Sequence, residues 1–239
     1  CLCVSSEIIG LRRSGSVGFL IVLLYILGAL FFIGGIMSIV LRSIFVCALI
    51  SNVFAGDHGE SHQLNSNSPE WEIEAYTSAA PSFIGNHATV IGASGKVLRE
   101  GTNGWRCEPF MPMPKGGFKS PHETAAACSD KNAVAWADAY KANTTPKLEG
   151  DGWIWMIHGD LGVDNFKPYT DGQKDAGHKH FIESGAHIML MPKDPSSLDG
   201  QTTDYTSGSP YVMFKGTPYV HLMIPLEGYY DYQPEAAPR

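Results

Sequence analysis

The hydrophobic pattern divides the chain into one long apolar block and a following region of short alternating segments. Residues 17–55 are largely apolar, and they give way to the polar stretch 56–60 (GDHGE). Val17 to Val40 carries no charge and, at 24 residues, is longer than the about 20 residues needed to cross a bilayer. A second signal starts at Met37, with a short positive segment, an apolar core and a cleavage pattern ending at Ala55. We therefore expect residues 1–55 to direct export.

Two interpretations of residues 1–55 remain open. In the first, a signal peptide over residues 37–55 is cleaved, and residues 1–36 are upstream sequence outside the translated protein. In the second, the apolar block stays as a membrane anchor, and Arg12 and Arg13 favour a cytoplasmic N-terminus. Both place the following domain in the periplasm or outside the cell, and only the second attaches it to a membrane.

Short alternating segments predict a sheet in a single globular domain over residues 71–228. Segments of this domain alternate with a period of two residues, which is typical of strands. The predicted strands cover residues 88–91, 96–99, 105–107, 152–158, 186–191, 211–215 and 219–224. Residues 216–218 (GTP) join the last two as a predicted hairpin. Several strands are apolar on both faces, so we expect the sheet to be covered on both sides.

Helical signals are confined to the middle of this domain. Ser120, Pro121 and Glu123 match the N-cap, first and third positions of a capping box, and Cys128 follows them before the next helix. Residues 132–142 place apolar side chains at helical spacing. The predicted fold class is α+β, a mainly antiparallel sheet covered by a short helical region.

The two ends of the domain are predicted to lack regular structure. Residues 56–70 are rich in Gly, Ser, Asn and His and have no apolar periodicity, which is typical of a disordered linker. Residues 229–239 are predicted to be a mobile tail.

The charge balance excludes one class of partner. Residues 1–55 hold three of the 17 Lys and Arg and one of the 24 Asp and Glu, so the other 184 residues carry 14 basic and 23 acidic side chains, a formal net charge of −9. Binding to nucleic acid depends on basic side chains that neutralise phosphates. We therefore expect no nucleic-acid partner, and the pattern does not identify a small ligand or protein partner.

Cysteine usage predicts one disulfide. Cys1, Cys3 and Cys47 lie within the export segment, which leaves Cys107 and Cys128 as a pair in an oxidising compartment. Their spacing is too wide for a Cys-x-x-Cys redox motif, so a structural cross-link is the preferred interpretation.

Three blocks of sequence resemble a known pattern. Residues 99–107 (REGTNGWRC), 185–192 (GAHIMLMP) and 208–225 (GSPYVMFKGTPYVHLMIP) are similar to signature blocks of a group of exported bacterial proteins to which no activity is assigned. The resemblance covers most of residues 71–226. It implies export and a single domain, and it implies no catalytic residue.

A repeated His-x-Met pattern is the sharpest chemical signal. Alternation places the imidazole and the thioethers of each copy on one face of its strand. The candidate copper ligands are His187, Met189, Met191, His221 and Met223. If the two strands are neighbours, these soft donors, joined by Met213, suit Cu(I). Core packing is the competing interpretation, because Met fills gaps in protein interiors.

The loop from residue 158 to residue 183 is the second candidate. Its Asp and His side chains suit Zn²⁺ or Ca²⁺, although their spacing matches no known metal motif. The candidate ligands are Asp160, Asp164, His178 and His180. His158, at the end of the preceding strand, is the candidate for acid–base catalysis. A solvated acidic loop is the alternative.

Three functions remain after these observations. No Gly-x-Ser-x-Gly, P-loop or Gly-x-Gly-x-x-Gly pattern is present, which removes the usual serine-hydrolase and nucleotide signals. The protein is either an exported module that binds a metal or small ligand on its His/Met strands, a metal-assisted enzyme with its site in residues 158–183, or a structural domain without chemistry. The sequence does not decide whether it is an enzyme.

Overall fold

The computed structural model describes residues 68–169 and 180–239, so the predicted export signal and most of the predicted linker lie outside the described residues. The central feature is an eight-stranded sheet in the order β2-β1-β3-β4-β5-β8-β10-β9, and β6 and β7 form a separate antiparallel pair. The strands are β1 Thr89–Ile91, β2 Val97–Arg99, β3 Arg106–Glu108, β4 Ala127–Ser129, β5 Gly152–Met156, β6 Val163–Asp164, β7 Phe181–Ile182, β8 His187–Met191, β9 Tyr211–Met213 and β10 His221–Pro225. Neighbouring strands are antiparallel except β1 and β3, which are parallel. The predicted α+β class is confirmed.

Three α-helices accompany the sheet within the described residues: α1 Pro69–Thr77, α2 Ser82–Gly85 and α3 Lys131–Lys141. Single 3-10 turns cover His122–Thr124, Pro195–Leu198 and Pro234–Ala236. The long helices begin where a side chain satisfies a free backbone N–H: Ser68 Oγ accepts from Trp71 N, and the carboxylate of Asp130 accepts from Ala133 N. No helix in the described part of the chain has the length and apolar character needed to span a membrane.

The two faces of the sheet pack against different helices. Cys107, Cys128 and Trp155 are direct cross-strand partners, and they pack with Tyr76 of α1. Because side chains alternate, Ile154 points to the opposite face, where it packs with α3. This second face holds the candidate site.

A glycine allows α3 to lie directly on β5. A Cβ atom at Gly152 would lie 2.5 Å from the backbone nitrogen of Ala133, which is shorter than real Cβ contacts. The absent side chain therefore sets the close approach of helix and sheet.

The predicted strands are confirmed over most of their lengths, as are the hairpin over residues 216–218 and the disulfide between Cys107 and Cys128. Residues 157–158, 214–215 and 219–220 belong to the predicted strands and lie outside the observed ones. The helix predicted at Ser120 is wrong, because the segment forms one 3-10 turn that ends at Ala125 with φ 44°. Cys128 therefore lies in strand β4, directly opposite Cys107, and not between two helices.

Both predicted domain ends require correction. The linker prediction is wrong at residues 69 and 70, which form the first turn of α1. The prediction of a mobile tail is wrong where that tail begins. Tyr229 is 1% exposed, and its hydroxyl contacts the hydroxyls of Ser184 and Tyr211.

Candidate functional site

The two His-x-Met segments are neighbouring strands, the condition on which the copper hypothesis depended. β8 pairs with β10 so that Met189 lies directly opposite Met223, and β9 pairs with β10 so that His221 lies opposite Met213. Directly opposite residues share a face of the sheet. We call this surface the His/Met face. Its members are Met156, His187, Met189, Met191, Met213, His221 and Met223.

The two histidines do not meet at one point of this face. His187 lies opposite Pro225, four residues along β10 from His221. That offset corresponds to about 13 Å of strand. The pair Met189 and Met223 occupies the register position between the two histidines.

A cavity of about 460 Å³ lies between the His/Met face and α3. The sheet contributes Met156, Met189, Met213, Met223 and His221. Trp136 and Tyr140 of α3, with Phe110 and Phe214, supply aromatic walls. Asp160 lines the cavity from the loop that follows β5. The cavity is thus enclosed mainly by thioethers and aromatic rings, with two polar side chains.

His221 presents a neutral imidazole to this cavity. Its Nδ1–H donates to the carbonyl oxygen of Tyr219 at 2.9 Å, which leaves the lone pair on Nε2. Burial lowers the pKa of His221 to about 4, because charging the ring would cost desolvation. Trp136 and Phe214 make edge contacts with the ring at 5.3 Å and 5.2 Å between centroids.

Asp160, which lines the cavity, lies next to His187, which is fully buried and does not line it. His187 Nδ1–H donates to the carbonyl of Gly185 at 2.7 Å, so its Nε2 also carries a lone pair. This buried Nε2 has no hydrogen-bond partner among the described residues, and it lies 3.9 Å from Oδ2 of Asp160. Burial lowers the pKa of His187, although the nearby Asp160 opposes that shift. Burial raises the pKa of Asp160, and His187 opposes the change.

The remaining candidates in the 158–183 loop do not assemble into a metal site. Oδ1 of Asp164 accepts from the backbone nitrogens of Phe166 and Lys167, which stabilises a local turn. His180 makes an edge contact with Phe166. His178 lies outside the described residues. Within residues 68–169 and 180–239, no three His, Cys, Asp or Glu side chains form a group that could hold a metal ion.

His158 belongs to a polar cluster away from the cavity lining. Its Nε2 lies 2.7 Å from Ser78 Oγ at the end of α1, and its carbonyl accepts from His122 Nδ1 at 2.7 Å. His122 Nε2 lies 3.0 Å from Glu183 Oε1, and its ring stacks on Tyr232. Burial, and then the nearby His122, lower the pKa of His158. The role of His158 in catalysis stays a prediction.

Sequence reasoning missed several members of the site. Helical spacing predicts that Trp136 and Tyr140 lie on the buried side of α3, but it does not predict that they line a cavity. The indole N–H of Trp136 is buried without a hydrogen-bond partner in the described part of the chain, and this orphaned donor has no sequence signal. Ser78 and His158 are 80 residues apart, so their contact could not be expected either.

Comparison with known proteins found no family model, no curated protein and no solved structure that matches this chain. The resemblance of the three sequence blocks to exported bacterial proteins therefore stays a prediction.

Proposed function

We propose that this protein is an exported small-ligand-binding protein whose ligand occupies the cavity on the His/Met face. The observation that carries the proposal is the cavity itself. Its volume of about 460 Å³ lies within the range of about 300–1,000 Å³ that small-molecule sites occupy. Walls that are mostly apolar, with a few polar groups, are typical of such sites. The apolar block over residues 17–55 supports export.

The lining favours a ligand that is largely apolar with a polar edge. Methionine side chains are flexible and polarisable, so Met189, Met213 and Met223 can adapt to an irregular ligand. The buried N–H of Trp136 has no acceptor among the described residues, and such a group costs about 1–3 kcal/mol. A ligand acceptor near Trp136 would remove that cost. Nε2 of His221 offers the complementary acceptor.

Narrowing the cavity is expected to weaken binding. Met189→Phe places a bulkier, rigid side chain in the cavity. Leu190 is the next residue of β8 and points to the opposite face of the sheet, so Leu190→Phe adds a ring outside the cavity. The probe is N-phenyl-1-naphthylamine, a neutral apolar dye whose fluorescence rises when it leaves water. We expect saturable binding of one dye per chain to the wild type and to Leu190→Phe, and at least tenfold weaker binding to Met189→Phe.

Circular dichroism melts verify that both variants fold, since overpacking costs about 1–3 kcal/mol. Absence of saturable dye binding to the wild type, or equal affinities for the two phenylalanine variants, would contradict the proposal.

A second candidate function is Cu(I) binding. Its support is the register of β9 and β10, which brings Met213 opposite His221 and places Met223 two residues further along the same face. Imidazole and thioethers are soft donors that select Cu(I). The lone pair on Nε2 of His221 needs no deprotonation near neutral pH. Zinc or calcium at the loop lacks comparable support, because no group of three suitable ligands forms in the described residues.

Cu(I) titration against bicinchoninate, with ascorbate to keep copper reduced, tests this candidate. Met213→Leu conserves volume but removes a thioether, and His221→Leu removes the imidazole. We expect each to weaken Cu(I) binding at least tenfold. Because the pKa of His221 is about 4, affinity should change little between pH 7 and pH 5.5. A ligand histidine with an ordinary pKa of about 6.5 would lose about tenfold over that range. Binding that both substitutions leave intact would exclude this site.

A further inference from the structure

Among the described lining residues, Asp160 alone carries a carboxyl group, and His221 is neutral near neutral pH. Burial raises the pKa of Asp160, and a bound ammonium group would favour its ionised form. The Asp160 side chain is 21% exposed and lines the cavity. Its Oδ1 accepts from the backbone nitrogen of Gly162 at 2.8 Å, which orients the group.

Two hydrogen-bond acceptors face each other beside this wall. Nε2 of His187 carries a lone pair, because Nδ1 holds the ring proton. It lies 3.9 Å from Oδ2 of Asp160, too far for a hydrogen bond, and it has no other partner among the described residues. Oδ2 of Asp160 therefore receives no hydrogen bond from His187, and since Asp160 lines the cavity, this carboxyl favours a ligand that brings donors. An ammonium group has three N–H donors and no acceptor.

The aromatic walls favour the same class of ligand. Trp136 and Tyr140 stack with ring planes 9° apart, and Tyr140 also stacks on Phe214. The faces of aromatic rings attract cations, most strongly where water is excluded. Lys141 lies over the ring of Phe110, and its ammonium is already paired with Glu108 at 3.0 Å.

We propose that the ligand of this cavity is an apolar primary amine, whose ammonium group pairs with Asp160 while its hydrocarbon body packs against the methionines and aromatic rings. This inference rests on the proposed ligand-binding function. The formal charge of −9 on residues 56–239 adds a field that draws cations toward the protein.

Three ligands of similar size and different charge test the inference: 2-phenylethylamine, 2-phenylethanol and 3-phenylpropionate. Isothermal titration calorimetry at pH 7.5 is expected to show the amine binding at least tenfold tighter than the alcohol, with the carboxylate weakest. Asp160→Asn should reduce amine binding to within about twofold of alcohol binding measured on the same variant. The asparagine can still accept from Gly162 and can donate to His187, so we expect the variant to fold.

Asp138→Asn is the matched control, because it removes one negative charge from the exposed side of α3 without touching the cavity. It should keep the amine preference. Equal binding of amine and alcohol to the wild type would overturn the inference, and so would a preference that survives Asp160→Asn. The first result would indicate a neutral Asp160 that shares its proton with His187. The titratable groups that interact with Asp160 are His187, His122, Tyr211 and Tyr229.

The failure of this inference is distinguishable from failure of the proposed function. If the neutral dye binds the cavity but the amine has no advantage, the cavity binds ligands and only the assigned class is wrong. If neither the dye nor any of the three compounds binds, the proposed function itself is wrong.

Discussion

Removing the disulfide by Cys107→Ala with Cys128→Ala is expected to lower the free energy of unfolding by about 3 kcal/mol. The cross-link joins residues 21 apart, and closing a loop of that length restricts the unfolded chain by about this amount. The two sulfurs are fully buried in the row that contains Trp155 and packs against Tyr76. Alanine is preferred to serine because a buried hydroxyl without a partner would add its own cost.

Urea denaturation at equilibrium measures this loss. The reduced wild-type protein is the control, since it keeps both sulfur atoms and lacks only the covalent bond. The difference between the reduced protein and the double alanine variant then reports the lost packing separately. A change below about 1 kcal/mol on reduction would show that the cross-link does not constrain the unfolded chain as the loop length predicts.

Trp136→Ala is expected to cost about 3 kcal/mol, the lower end of the range of about 3–5 kcal/mol for buried aromatic residues. Trp136 is 7% exposed and packs on the sheet between Tyr140 and His221. Two features reduce the loss. Part of the indole already borders a cavity, so it packs against fewer atoms than a fully enclosed ring. Removing the ring also removes the cost of burying its unpartnered N–H.

Trp153→Ala is the matched control for that substitution. Trp153 lies on β5 with its side chain on the face opposite Ile154, and it is 40% exposed. Because Trp153 buries less apolar surface than Trp136 does, we expect Trp153→Ala to lower the free energy of unfolding by about 1 kcal/mol. Thermal melts compare the two variants. A larger loss of stability for Trp153→Ala would contradict the assignment of the main core to the face of the sheet that packs with Trp136. Dye binding by Trp136→Ala should also weaken, since the variant removes a wall of the cavity.

Much of the fold followed from local pattern. Alternation over residues 152–156 and 187–191 predicted strands, and the helical spacing of Trp136 and Tyr140 predicted α3. Both signals arise because a side chain's direction depends on backbone geometry within a few residues. The N-cap of α1, Ser68, lies in the predicted linker, where the neighbouring Ser and Asn residues and the lack of apolar periodicity hid the start of the helix.

What remained hidden depends on contacts between distant residues. β4 has three residues, and it becomes a strand because it pairs on both sides with β3 and β5. Tyr229 is buried because its hydroxyl meets Ser184 and Tyr211, from other parts of the chain. A three-residue strand or a buried tail carries too little local signal to be recognised without its partners.

The sequence by itself determined which side chains share a face of each strand, and so predicted His187 with Met189 and His221 with Met223. Only the tertiary structure decided that β8 and β10 are neighbours, and that their register offsets the two histidines by four residues, about 13 Å of strand. Asp160 and Trp136 join the site through long-range packing of a loop and a helix onto the sheet. Burial then makes His221 neutral and leaves some donors and acceptors without partners. Both properties depend on the tertiary environment of each group and cannot be obtained from the local sequence.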